Sequence, residues 1–360
     1  MHISWTSRYP RIAGLWTGLL IAGVLTLSLA TARPASAATT AAACTPTDKL
    51  VNPCRPWLGA YGHGYPQVPP DLTSQVNYHE QRIGRRGDIV RGEYHRGAQY
   101  LTLAEKNFAE RPSTILLINW KPSINNWAAA GGGDAPTNRV IDSMARSIKS
   151  VAPHKIMLVL AHEPENDVSA GTRCYTNHRV PSGSPADYRA MWANVRRRFA
   201  AQGTTNVVWI MDYMGYQPYD CLVPELWPGN SLVDWVMIDA YGTRGKPLID
   251  ASVGRFYRFL ERSSDANHDY RSKPWGLGEF SIHGATRVQA YAYWDSISAA
   301  LSHAAYPRLK AYVPFDSEGG HQDNRVAYDV NGALDPTERA HYNAFAHNPA
   351  FGIAVPPSGG

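Results

Sequence analysis

Lys155-Ile-Met-Leu-Val-Leu-Ala-His-Glu-Pro-Glu-Asn166 carries a mostly apolar run, Ile156 to Ala161, straight into a cluster of ionisable residues. An unbroken apolar run of this length is expected of a strand buried on both faces, and the abrupt change at His162 marks its end at an open rim. Parallel α/β folds gather ligands and catalytic groups at the carboxyl ends of their strands, so Glu163 stands where chemistry is usually done. Lys273-Pro-Trp-Gly-Leu-Gly-Glu-Phe-Ser281 repeats the layout and sets Glu279 at a similar rim.

Outward from these two stretches, strand-like runs recur at residues 57–61, 88–94, 114–120, 156–161, 206–211, 232–238, 274–279 and 309–315. Helical stretches alternate with them, the pattern of a parallel sheet built from βα units. Residues 136–151 carry Val140, Ile141, Met144, Ile148 and Val151 three or four apart, the spacing of one buried helix face, with Pro136 near the start. Residues 185–202 do the same with Tyr188, Met191, Trp192, Val195 and Phe199. Ile249, Val253, Phe256 and Leu260 mark a third helix, and residues 288–304 a fourth. Residues 212–231, rich in Gly, Pro and Tyr, show no such period and read as a long rim loop. The fold expected is α/β, a single-domain (β/α)8 TIM barrel over residues 55–352, preceded by a leader at 38–54 and followed by a tail at 353–360. Beyond the βα alternation no internal period appears, which argues against a solenoid.

The first 37 residues read as a signal peptide: Arg8 and Arg11, an apolar run from Ile12 to Ala30, then Ala35-Ser-Ala37 as a small-residue cleavage site. An uncleaved membrane anchor is the competing reading, and the cleavage site weighs against it. Removing this segment, with three Arg and no acid, takes the formal charge from +5 to +2. That balance calls for neither nucleic acid nor an anionic membrane as partner; the expectation is a secreted, extracellular monomer whose partner is its substrate. Four cysteines in an exported chain suggest two disulfides. Cys44 with Cys54 would staple the mature amino terminus, and Cys174 with Cys221 would join two later loops if these follow neighbouring strands.

Rim carboxylates at the ends of the fourth and seventh strands are the raw material of a glycosidase. Breaking a glycosidic bond needs an acid to protonate the leaving oxygen and a second carboxylate at the anomeric carbon. Glu163 suits the acid and Glu279 the nucleophile. Glu165 competes with Glu163, because positions two apart in an extended segment face the same way. Asp239 and Tyr241 end the sixth strand, where a phenol beside Glu279 would keep that carboxylate ionised and aimed. Tyr94 and His95 at the end of the second strand, Asp212 after the fifth, and Asp316 and Glu318 after the eighth are further candidates. Trp120, Trp127, Trp227 and Phe315 offer flat faces for stacking on sugar rings. His162-Glu163 begins like a zinc-peptidase motif, but position 166 is Asn and the segment reads as strand, so neither a metal nor any other cofactor is expected.

At these residues the chain resembles glycoside hydrolase family 26, retaining (β/α)8 enzymes dominated by β-mannanases. The resemblance spans about residues 57–351. It rests on Gly133-Asp134, His162-Glu163, Trp227-Pro-Gly-Asn230, Val233-Asp-Trp-Val-Met-Ile-Asp-Ala-Tyr241 and Lys273-Pro-Trp-Gly-Leu-Gly-Glu279. It implies Glu163 as acid/base, Glu279 as nucleophile, His162 as a neighbour on the substrate side and Tyr241 as the partner of Glu279. β-Mannan is the substrate it implies first, with β-1,3/1,4-glucan, β-xylan or a non-catalytic sugar-binding role as alternatives. After His-Glu the chain departs from the family. Pro164, Glu165, Asn166 and a Cys-containing loop stand where the mannanases have Asn, then Gly and a Trp-rich segment.

Overall fold

Eight parallel strands close on themselves in chain order in the computed structural model, which describes residues 45–169, 181–319, 322–323 and 335–357. They are β1 (Trp57–His63), β2 (Ile89–Arg96), β3 (Ile115–Lys121), β4 (Ile156–Leu160), β5 (Val207–Tyr213), β6 (Trp235–Asp239), β7 (Trp275–Phe280) and β8 (Leu309–Gly319). Closure comes from β1 pairing parallel to β8, with Trp57 opposite Ala311 and Tyr61 opposite Phe315. This is the (β/α)8 barrel expected, in which each of the eight described strands is paired on both sides.

The helices are α1 (Leu72–Ile83), α2 (Leu103–Glu110), α3 (Ala135–Lys149), α4 (Pro185–Ala201), α5 (Leu222–Leu226), α6 (Arg255–Ser263), α7 (Arg287–Ser302) and α8 (Pro336–Ala346). Their starts follow from local chemistry. Thr102 with Glu105, Ser184 with Asp187 and Thr286 with Gln289 form reciprocal capping boxes on α2, α4 and α7. The Asp134 carboxylate accepts from the Thr137 N–H, so within the Gly133-Asp134 motif the Asp caps α3. One face of α3 then buries Ile141, Met144, Ala145 and Ile148, as its period predicts.

The stretch expected to be a bare rim loop contains a turn of 3-10 helix at Gln217–Tyr219 and the short α5. Leu222, Val223 and Leu226 are buried there, but five residues are too few for a period to show. Strand β6 begins at Trp235, later than read from the sequence. Residues 45–54, read as a leader, lie against the lower end of the barrel: Lys49 donates to the Val207 carbonyl at 2.7 Å and accepts from the Trp235 indole at 3.3 Å.

The barrel interior is filled in layers. Trp57, Ile89, Leu117, Met157, Val159, Val208, Ile210, Trp235, Met237, Ala311 and Val313 form its apolar lower part, where Trp57 stacks on Trp235 at 5.6 Å. Alternation along the strands then puts Asn119, Asp212 and Asp239 on the same inward face, one step higher. The change from aliphatic to ionisable side chains inside one closed sheet locates the site at the carboxyl ends of the strands.

The signal segment, Cys44, Cys174 and the side chain of Glu318 lie outside the described residues. Cys54 and Cys221, the partners expected for those two cysteines, are not free thiols.

Candidate active site

Glu279 stands at the centre of the barrel mouth, 7% exposed. A register irregularity between β6 and β7 brings it opposite Asp239 and turns it into the mouth. Its Oε1 accepts from Arg91 Nη2 at 2.6 Å and from the Tyr94 hydroxyl at 2.5 Å, and its Oε2 accepts from the Tyr241 hydroxyl at 2.8 Å. His162 Nε2 lies 3.9 Å from Oε1. Burial alone would push this carboxyl toward neutrality. Arg91 and the two phenols outweigh it and hold Glu279 below the ordinary carboxylate range. Both phenols are themselves pushed far above their usual range, chiefly by burial, so they stay protonated and donate.

Arg91 is fully buried and escaped the reading of the sequence. Its Nη1 donates to the Gly278 carbonyl at 2.5 Å while Nη2 holds Glu279, so the guanidinium clamps two consecutive residues of β7. A register irregularity in β2 between Arg91 and Tyr94 lets residues three apart both serve the mouth. The signal was present: a lone Arg inside Ile89-Val90-Arg91-Gly92 is a charge in a strand otherwise built for the core.

Glu163 follows β4 in a left-handed conformation (φ 46°, ψ 51°), and Ala161 just before it also has positive φ (55°). Non-glycine residues held there cost about 1–3 kcal/mol each, and such strain gathers at functional sites. The Glu163 side chain is half-buried and accepts from Asn166 Nδ2 at 2.9 Å. Withdrawal from water, then the negative charges of Glu279, Glu165 and Asp212, push its carboxyl well above the ordinary range. The mouth thus holds two glutamates driven in opposite directions.

Glu165 is separated from Glu163 by its surroundings. It is wholly buried, its oxygens accept from the Met214 N–H at 3.1 and 3.3 Å, and burial lifts it to about 8. The turn Pro164–Asp167 breaks the extended geometry that would have aimed both side chains alike. Because its folded value lies above the ordinary 4.5, the native chain keeps a proton that the unfolded chain loses between roughly pH 4.5 and 8. Stability from this group is therefore full in acid and falls as pH rises through that window. Glu165→Gln should flatten the fall by up to about 1.4 kcal/mol per pH unit, read as urea midpoints at pH 5 and pH 8; parallel wild-type and variant curves would contradict it.

Among the other predicted residues, His162 lies edge-on to Tyr94 at 5.2 Å, and burial lowers it to about 3, keeping it neutral. Phe315 stacks on Tyr61 at 5.0 Å and meets Tyr241 at 6.2 Å, so it belongs to an aromatic wall of the mouth together with Tyr61 and Tyr94. His283, also unpredicted, packs on Tyr241. Asp239 is buried beside Glu279.

Four expected contacts, Trp120, Trp127, His95 and Trp227, and the candidate Asp316 are not brought to the mouth. Trp120 is fully buried on the helix side and donates to the Gly97 carbonyl, because Leu117 and Asn119 take the inward positions of β3. Trp127 packs edge-on to Tyr188 in the core between barrel and helices. His95 turns outward to Glu105 of α2 at 2.8 Å. Trp227 is likewise buried against Tyr270, and Asp316 pairs with His79 of α1 at 2.6 Å. His162, Asp239 and Glu279 bring ligand-type atoms within 4.8 Å of one another. At that point the guanidinium of Arg91 already supplies the positive charge.

Fold and mouth together define a (β/α)8 barrel with a pair of oppositely perturbed glutamates at the carboxyl ends of β4 and β7. Solved structures that superpose on the chain include endo-β-1,4-mannanases of glycoside hydrolase family 26. A modular endo-β-1,4-mannanase from Cellulomonas fimi superposes with a TM-score of 0.54 at 14% identity, over 84% of this chain and 75% of that one. A ruminal family 26 endo-β-1,4-mannanase gives 0.53 at 13%, over 85% and 66%. The YdhT protein of Bacillus subtilis gives 0.51 at 13%, over 81% and 93%. By sequence, no family model and no curated protein matches the chain.

Proposed function

We propose that the protein is a secreted, retaining β-glycosidase of the family 26 type, with β-mannan as its substrate. The observation that carries this reading is the divergence of the two glutamates: Glu279 held ionised by Arg91, Tyr94 and Tyr241, and Glu163 held protonated by burial beside three acids. Pairs of carboxyls pushed apart in this way divide into nucleophile and acid. The superposed structures whose names declare mannanase activity support the substrate class.

In the first step a Glu279 oxygen attacks the anomeric carbon. The bond to the leaving sugar breaks, and its oxygen takes the Glu163 proton. Glu163, now a carboxylate, then takes a proton from the water that attacks the same carbon and frees Glu279. A retaining enzyme needs its two carboxyls about 5–5.5 Å apart, and the anomer of the first product tests that spacing. Phe315 and Tyr241, half-buried where Tyr61 is buried, offer their rings to the sugar.

The pH profile follows from the signs. Activity needs Glu279 ionised and Glu163 protonated, so its acid limb should lie below the usual carboxylate range, where Glu279 protonates, and its alkaline limb well above that range, where Glu163 ionises. Glu163→Gln tests the acid. It should lower kcat/KM on β-mannan roughly 10²–10⁴-fold, remove the alkaline limb, and spare aryl mannosides whose leaving group needs no proton. Equal losses on both substrates would sink the assignment. Assays on glucan and xylan beside mannan define the substrate.

A further inference from the structure

Beneath Glu279 the barrel holds polar groups that this reaction leaves unused. Asp212 of β5 and Asp239 of β6 are 1% and 2% exposed, and no oxygen of either carboxyl meets a donor among the described residues. They converge on one spot. A Cβ added to Gly278 of β7 would stand 2.8 Å from Asp239 Oδ1 and 2.9 Å from Asp212 Oδ1, and the two carboxyls lie within hydrogen-bonding reach of each other. Gly278 thus leaves the space that both occupy. Asn119, on the inward face of β3, and Arg91 Nε are also buried without a partner among the described residues.

The charged groups facing the pair are Arg91 from β2 and Glu279 from β7; the neutral titratable ones are the protonated Glu163 and Glu165 and His162 after β4, with the phenols of Tyr94 and Tyr241. With both aspartates and Glu279 ionised, three carboxylates would crowd one guanidinium among buried side chains, an arrangement that buried like charges do not sustain. A proton between the two resolves it, since one carboxyl then donates to the other.

We propose that Asp212 and Asp239 hold a single proton between them and, as a pair of charge −1, position Arg91 and through it Glu279. The positioning role rests on the hydrolase reading above; the shared proton does not. Burial, which pushes Asp212 up to about 7 and Asp239 well above the ordinary range, agrees with a retained proton. With that charge of −1 the pair attracts the guanidinium without stripping it from Glu279. Fully ionised, it would compete with Glu279 for the same cation.

The test is carbon-13 NMR of the full chain labelled at the aspartate carboxyl carbon, at pH 6. The wild type should show one protonated aspartate, absent in Asp212→Asn, whose amide donates to Asp239 in the proton's place. Because Ala cannot donate, Asp212→Ala should lower kcat with KM unchanged, and Asp212→Asn should recover at least about tenfold of that loss. Both aspartates ionised at pH 6 would overturn the proposal, whether or not their signals move when Ca²⁺ is added. One protonated aspartate with equal kcat in the two variants would overturn the positioning role. A protonated pair in a chain that hydrolyses no glycan would support the shared proton and sink the hydrolase reading instead.

Discussion

Glu279→Gln should leave the barrel folded and cut kcat/KM on β-mannan by at least about 10³-fold. The size of the effect follows from what the amide keeps. The Gln oxygen still accepts from Arg91 and Tyr94, and its amide N–H turns to the Tyr241 hydroxyl, which then accepts, so the mouth holds its shape, but a neutral amide oxygen is no nucleophile toward the anomeric carbon. The loss should fall on kcat, since the ring-stacking wall of Tyr61 and Phe315 is untouched. A calorimetric titration with mannan oligosaccharides beside a reducing-sugar assay makes the check: binding retained with product abolished. Turnover near the wild-type rate would remove Glu279 from the reaction.

The second large effect falls on stability. Arg91→Met deletes a buried cation whose partner, Glu279, is itself buried, and leaves that carboxylate with phenols alone. Stranding one member of a buried ion pair costs about 3–5 kcal/mol, and the chain should lose that much in urea unfolding at pH 7. The cost has a pH signature. Arg91 is the largest influence lowering Glu279, so without it the carboxyl rises, and the native state keeps a proton that the unfolded chain releases. The deficit of the variant should therefore shrink in acid, where Glu279 is neutral in both states, and the acid limb of its residual activity should move to higher pH. A loss that stays constant from pH 4 to pH 8 would mean that Arg91 contributes packing rather than charge.

Much of the fold was legible because its signals are local. Ile156–Leu160 is an unbroken apolar run, and helix α3 shows its period over several turns. The two glutamates were legible for the same reason, since each closes such a run. What escaped depends on which way a side chain turns at a strand end. A single irregularity in β2 sends Tyr94 into the mouth and His95 out to Glu105, so that only one of two candidates serves the site. Parity along β3 does the same for Trp120: with Leu117 and Asn119 inward, the indole must face the helices. Arg91 was passed over for a different reason, because a lone charge in a strand gains meaning only when the closed sheet brings its counter-charge, 188 residues on, into contact. The choice between Glu163 and Glu165 likewise waited on the turn at Pro164, which no alternation rule describes.

The central claim is that Glu279, ionised in the mouth of the barrel, forms a bond to the sugar. An activated 2-deoxy-2-fluoro-β-mannoside slows the second step more than the first, so the glycosyl ester should accumulate, and peptide mapping by mass spectrometry should place it on Glu279. An ester on any other carboxylate, or turnover of the reagent with no ester formed, would contradict the account.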